Sequence, residues 1–372
     1  MSYMADRMIV LGGGVIGLAT AFELRQRGLE VAVLEIKSFG GQASGAAAGM
    51  LAPYSEIGED PDDFFRLCLS SLRLFPKWQA DVKKASGLEF EYTESGSLHC
   101  VYHEADLLSL SSRQGWQKEF GVEATILNQS ATQKLEPELS GEVIGAIHYP
   151  EESHVYAPDY VKALEKACER SGVELYDHLE HIKLEEWESG IRLTSKSGQE
   201  FEADQLVISS GAWAKEYEDV FSLNFPIYPI RGQICAYQLV PERIKHILYS
   251  SQGYLVSKAD GTLVNGASED IAGFETTVTE KGINRLTNWN HHMLPFLQEL
   301  KPFHQWAGLR PATQDGYPLI GRLQQANRVI FSAGHYRNGI LLSAATAKAV
   351  ADLAVRQLPF ISLDRFEPER FS

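Results

Sequence analysis

Residues 8–35, MIVLGGGVIGLATAFELRQRGLEVAVLE, decide the fold. An apolar strand containing Ile9, Val10 and Leu11 runs into Gly12-x-Gly14-x-x-Gly17. A helix is predicted next, because Ile16, Ala19, Thr20 and Leu24 recur at three- and four-residue steps and Gly28 closes the run. A second strand ends on Glu35. In that order, Gly12 permits a tight turn, Gly14 lets backbone approach a pyrophosphate, and Gly17 allows helix and strand to touch. Unpaired N–H groups around Val15 and Ile16 attract phosphate oxygens. Glu35 lies about twenty residues past the glycines, where a carboxylate binds both ribose hydroxyls and repels a 2′-phosphate. A dinucleotide site is predicted, with NADP disfavoured.

At 372 residues the chain is long for one core, and two joined domains are expected. A net charge of -15 argues against nucleic acid or an anionic membrane as a general partner, and leaves small anions to local arginines. The cysteines (Cys68, Cys100, Cys168, Cys235) lack CxxC spacing, which points to free thiols in a reducing compartment. The start MSYMADRM does not read as a secretory signal, and no run approaches the roughly 18 apolar residues of a membrane span. A cytoplasmic enzyme is the expectation.

Beyond Glu35, the loop Gly40–Met50 is built of residues too small to make a core. It reads as backbone laid against a large flat ligand. Residues 61–85 carry an amphipathic helical stripe, and Pro158-Asp159 opens another helix that ends at Ser171-Gly172. HIKLEEWE, IRLTSK and FEADQLVISS (181–210) read as a three-stranded meander, its last strand stopping at Gly211-Ala212-Trp213. Residues 219–300 change to long alternating strands, with a hairpin at Asp260-Gly261 and a helix announced by Thr277 and Glu280 at capping-box spacing. The C-terminal stretch repeats the opening grammar: strand RVIFSAG, turn HYRNG, then a helix of small residues. The expected fold is α/β, a Rossmann-like cofactor domain with an inserted antiparallel-sheet α+β substrate domain. Residues 1–85, 150–218 and 301–372 fall to the first domain, and 86–149 and 219–300 to the second.

Histidines are not grouped for metal. His291 and His292 are neighbours on a predicted helix, so their rings point about 100° apart. No GxSxG or GxxxxGK[ST] occurs, which removes the usual nucleophile elbow and phosphate lysine. Arginines in apolar turns remain: Arg310 in WAGLRPATQDGYPLIGR and Arg337 in GHYRNG. A guanidinium in such surroundings needs a carboxylate, a substrate's or the protein's own. Both partners stay open for each arginine. Tyr254, in QGYLVS, can add a hydroxyl.

IVLGGGVIG, SGAAAGML, VISSGAW, WAGLRPATQDGYPLIGR and FSAGHYRNGILLSAATAKAVADL together resemble the D-amino-acid oxidase family of FAD-dependent amine oxidases, its glycine-oxidising, thiamine-pathway branch above all. The resemblance implies FAD extended along the N-terminal unit, among Gly12, Gly14 and Gly17. It sets Val15 and Ile16 at the pyrophosphate and Glu35 and Ile36 at the adenosine ribose. Ala43, Ser44, Ala48, Gly49 and Met50 would line the cofactor, Ile182 and Gly211 would flank it, and His335, Tyr336, Arg337, Asn338, Gly339, Ile340 and Leu341 would wrap its ring. It also implies that Arg310 clasps a substrate carboxylate, helped by Tyr254 and Arg337. Gln252 and Glu269 stand where that branch leads one to expect histidine and methionine, and Glu269 brings negative charge toward the pocket mouth.

The implied reaction is oxidation of glycine, sarcosine or a small D-amino acid to an imine, then to a 2-oxo acid and ammonia. Dioxygen would become hydrogen peroxide, or the imine would feed thiazole synthesis. A homo-oligomer, a tetramer, is implied with it. Two rivals stand beside it: a D-amino-acid or sarcosine dehydrogenase using another electron acceptor, and a non-catalytic flavin-binding subunit.

Overall fold

Strand Arg7–Leu11 sends its side chains alternately into two cores. Met8 and Val10 join one, Ile9 and Leu11 the other. An apolar strand that feeds both faces belongs in the middle of a parallel sheet. The computed structural model, which describes residues 6–57 and 61–372, places it there. Arg7–Leu11 pairs in parallel with Glu30–Leu34 on one side and Gln205–Ile208 on the other. Glu174–Tyr176 and Val329–Ala333 extend the sheet in each direction, and antiparallel Leu319–Arg322 closes one edge.

Helices Val15–Gln26, Asp63–Ser86, Ala157–Ser171 and Gly339–Ala354 cover one face of this six-stranded sheet. The antiparallel strands Ile182–Glu186, Ile191–Ser195 and Glu200–Ala203 cover the other, setting Leu184, Leu193 and Phe201 against Ile9, Leu11 and Leu206. The expected meander is therefore cut short. Its last strand divides at Asp204, and Gln205–Ile208 crosses into the parallel sheet. The residue pattern holds the reason: FEAD alternates like a half-covered strand, whereas LVI is apolar on both faces. The Asp204 carboxylate marks the crossing by accepting the Arg7 N–H at 2.8 Å.

An eight-stranded sheet forms the second layer, ordered His304–Thr313, Ile227–Gln238, Thr262–Gly266, Gly253–Ser257, Ile247–Ser250, Ser97–Val101, Gly145–Tyr149 and Thr125–Asn128. One face packs on helix Glu280–Met293 through Cys235, Leu255, Leu263, Leu286 and Trp289. The opposite face carries Ile234, Tyr254, Val256 and Val264 together with Ala48 and Ala52 of the first layer. Two details differ from expectation. His304–Thr313, assigned from sequence to the cofactor domain by the boundary at 301, is the edge strand of this sheet, paired along its length with Ile227–Gln238. Helix Glu280–Met293 is capped by Thr279, not by Thr277 with Glu280. The Gln233 side chain takes the Thr279 N–H at 2.6 Å, and the Thr279 hydroxyl then accepts from Gly282 N–H at 3.2 Å, which fixes the helix start.

All four cysteines are buried and free. Among the described residues, no helix is long and apolar enough to cross a membrane, and no cluster of three potential metal ligands occurs.

Candidate active site

The carboxyl ends of Arg7–Leu11, Gln205–Ile208 and Val329–Ala333 open on one cleft, whose far wall is the eight-stranded sheet. Open α/β sheets bind ligands at this edge. The cleft is lined continuously from Gly12 and Glu35 at one end to Arg310 and Arg337 at the other.

At its deep end the first crossover turn presents Gly12, Gly14, Val15 and Ile16. Gly17 does not line the cleft. It lets the helix close on the turn, because a Cβ there would sit 1.9 Å from the Gly12 carbonyl oxygen. Gly14 caps helix Val15–Gln26 without a side chain, so the helix's positive end faces the cleft. The Ser44 hydroxyl accepts the Val15 N–H at 2.9 Å. Glu35 is held by backbone: its oxygens accept N–H bonds from Gly13 at 2.7 Å and Lys37 at 2.8 Å. Ile36, Ile182 and Gly211 complete this end, and Ala43, Ala48, Gly49 and Met50 line the middle.

The second crossover turn contributes His335, Tyr336, Arg337, Gly339 and Ile340. Asn338 caps helix Gly339–Ala354 without a side-chain bond, so a second positive helix end points the same way. Asn338 and Leu341 are not on the cleft surface. Leu341 is buried in the helical core, its carbonyl accepting the Ser71 hydroxyl at 2.6 Å, because its position on the helix turns it away. Burial pushes the His335 imidazole down to about 3, so the ring is neutral, and its Nε2 lies 3.1 Å from the Thr346 hydroxyl.

Three buried hydroxyls of residues along the cleft wall, those of Ser209, Ser210 and Ser332, have no hydrogen-bond partner among the described residues. Buried polar groups are ordinarily satisfied. Two helix N-termini aimed into the cleft and an acid held by backbone beside the first of them fit an FAD.

The two arginines meet different fates. Arg310, on strand His304–Thr313, donates from Nη1 to the Ser268 carbonyl at 2.9 Å and makes no ion pair among the described residues. Its guanidinium lies over Gly232, where a Cβ would come within 2.4 Å of Nη1. Tyr254 stands beside it, buried. Burial raises the phenol's pKa, and Arg310 opposes that rise. Arg337 is already paired. Its nitrogens lie 3.8 Å from Glu56 and 3.3 Å from Glu269, and Nη2 donates to the Tyr249 hydroxyl at 3.4 Å. Glu269 also takes the Tyr336 hydroxyl at 2.8 Å, bracing the mouth. Gln252 lies in an exposed hairpin turn outside the cleft.

Several site groups escaped the sequence reading. Glu56 faces the cleft beside Arg337; burial raises its carboxyl, and Arg337 and then Arg310 pull it back. It was readable only as a lone acid closing the apolar stretch MLAPYSE. Ser209 and Ser210 follow the apolar run Leu206–Ile208 and precede Gly211, the position where a buried strand opens on a cleft. Tyr249 carried no signal.

The chain matches the DAO family, FAD dependent oxidoreductase, over residues 7–353, and it belongs to that family. It is an FAD-dependent oxidoreductase. Relatives that match it along its whole length include glycine oxidases. That of Geobacillus kaustophilus is 32% identical over 372 residues, covering 100% of this chain and 98% of the relative. A bifunctional protein ThiO/ThiG of Trichormus variabilis is 33% identical over 99% of this chain, which spans 55% of that protein. The crystal structure of the Geobacillus kaustophilus glycine oxidase superposes with a TM-score of 0.92 at 30% identity, covering 98% of this chain and 99% of that one.

Proposed function

We propose that this protein oxidises glycine, and with it sarcosine and small D-amino acids, using FAD and dioxygen. The products are hydrogen peroxide and the imine, which hydrolyses to a 2-oxo acid and ammonia, or methylamine where sarcosine is the substrate. The observation that carries this reading is Arg310: a cation tethered by backbone at the cleft wall, with donors left for a carboxylate. Bound FAD supplies the two-electron acceptor for hydride leaving the substrate's α-carbon.

The protein's own residues orient the substrate. Arg310 and the Tyr254 hydroxyl hold the carboxylate end, while Glu56 and Arg337, paired with each other, fill the adjacent wall. The role left to them is placement and exclusion of water. The helix end at Gly339 sets positive potential beside the ring site. A relative joined to ThiG supports delivery of the imine to thiazole formation. The four buried free thiols support a reducing compartment, the cytoplasm.

The test is anaerobic addition of glycine to the yellow, FAD-loaded protein. Bleaching, followed by return of colour and one peroxide per flavin in air, is expected. A spectrum unmoved by glycine, sarcosine and D-alanine overturns the reading, and bleaching without reoxidation by air assigns a different electron acceptor.

A further inference from the structure

Lys258 is a buried cation that the cleft does not use. It directly follows strand Gly253–Ser257, the strand that carries Tyr254, and is 3% exposed. Its Nζ donates to the Ala48 carbonyl at 2.8 Å and the Val155 carbonyl at 2.9 Å, and lies 3.3 Å from His154 Nδ1. Two ammonium protons thus meet backbone carbonyls, and His154 Nδ1 lies within reach of the third. Burial still pushes Lys258 down to about 7, against the pull of the Glu91 and Asp260 carboxylates. Glu91 frames the same seat, accepting the Ala259 N–H at 3.1 Å and lying 3.5 Å from His154.

The two carbonyls are not arbitrary. Ala48 belongs to the segment Ala48–Met50 that lines the cleft, and Met50 pairs with His154 across a short ladder. Gly49, at φ 80°, lies so close to the neighbouring strand that a Cβ would fall 2.0 Å from the Val155 oxygen. The Val155 N–H in turn donates to the Gly49 carbonyl at 2.9 Å. One ammonium therefore ties the cofactor-lining segment, the strand beneath it and the substrate-facing strand at a single point. Ala48 and Tyr254 also share one apolar cluster, so spacing set at one is felt at the other.

We propose that Lys258 is a positioning residue that fixes the Ala48–Met50 wall of the flavin cleft relative to the Tyr254 strand. This rests on the flavin reading of the cleft, but part of its test needs no flavin. The variants are Lys258→Met, which keeps the length and removes the ammonium, and Lys258→Arg, which restores a cation. In flavin-free protein, Lys258→Met is expected to speed amide exchange at least tenfold at Met50–Leu51 and Ser153–Val155, leaving helix Glu280–Met293 unchanged. On adding FAD, its dissociation constant is expected to rise at least tenfold with an altered visible spectrum, and Lys258→Arg to recover most of the loss. Wild-type exchange and FAD affinity in Lys258→Met overturn the proposal. Should Lys258→Met not fold, Lys258→Gln takes its place in both measurements. If neither folds while Lys258→Arg does, the lysine serves the whole fold, and the positioning role is overturned.

Discussion

The strand that carries Arg310 and the turn that carries Arg337 border the same end of one cleft, yet they treat their arginines in opposite ways. Arg310 leans on a backbone carbonyl, which fixes the guanidinium without neutralising it. Arg337 lies between two carboxylates and a phenol, so its charge is answered before any substrate arrives. A dipole holds a cation in place and leaves its attraction for an anion nearly intact, whereas an ion pair holds it and cancels that attraction. The difference separates a group available for recognition from one that organises its surroundings.

The largest effect should come from Arg310→Ala. The value of kcat/KM for glycine is expected to fall about a thousandfold, mostly through KM, with FAD still bound. An unchanged KM would move Arg310 to a structural role and dissolve the contrast. Arg337→Met should cost less, about tenfold, since it removes no substrate contact. Its signature lies in pH. Arg337 is the main group holding the buried Glu56 carboxyl down, so its loss must raise that carboxyl further. If Glu56 works ionised, the acid limb of the kcat/KM profile should shift to higher pH, and a shift to lower pH would contradict the pairing.

Third, the turn itself should be acid-sensitive. His335 titrates at about 3 when folded against about 6.5 unfolded, so between those values the unfolded chain binds the extra proton. Its contribution is constant above about 6.5 and is lost as pH falls toward 3. The melting temperature should drop by about 2 °C between pH 7 and pH 5, and His335→Asn should flatten that slope. The smallest effect belongs to Glu269→Met, about threefold on kcat/KM. Burial first and Glu269 second raise the Tyr336 phenol to about 12, and the variant should lower its titration in an ultraviolet pH scan. A tenfold loss would show Glu269 to be a substrate contact.

Most of the parallel layer was legible because each part is local. Strand 7–11, its glycine turn, the helix and Glu35 follow one another, and their periodicities state both the element and the face it buries. The hairpin at Asp260-Gly261 was equally local. What escaped the sequence is long-range. Nothing near His304 shows that this stretch leaves one layer to edge the other, because the pairing that decides it lies with Ile227–Gln238. The Glu56–Arg337 pair joins residues from opposite ends of the chain, so only folding could settle which open partner each arginine would take. Leu341 and Asn338 sit beside true cleft residues, and a run of neighbours on a helix cannot all face one side.

The three unpartnered serine hydroxyls carry a cost when the polypeptide stands alone, each about 1–3 kcal/mol if left dry. Occupancy of the cleft by a dinucleotide adds its binding energy to the folded state and offsets such costs. Vitamin supply thereby becomes a determinant of how much of this polypeptide survives. In a riboflavin-starved cell the loss would reach beyond catalysis, as chains without their prosthetic group open more often and are cleared by proteases.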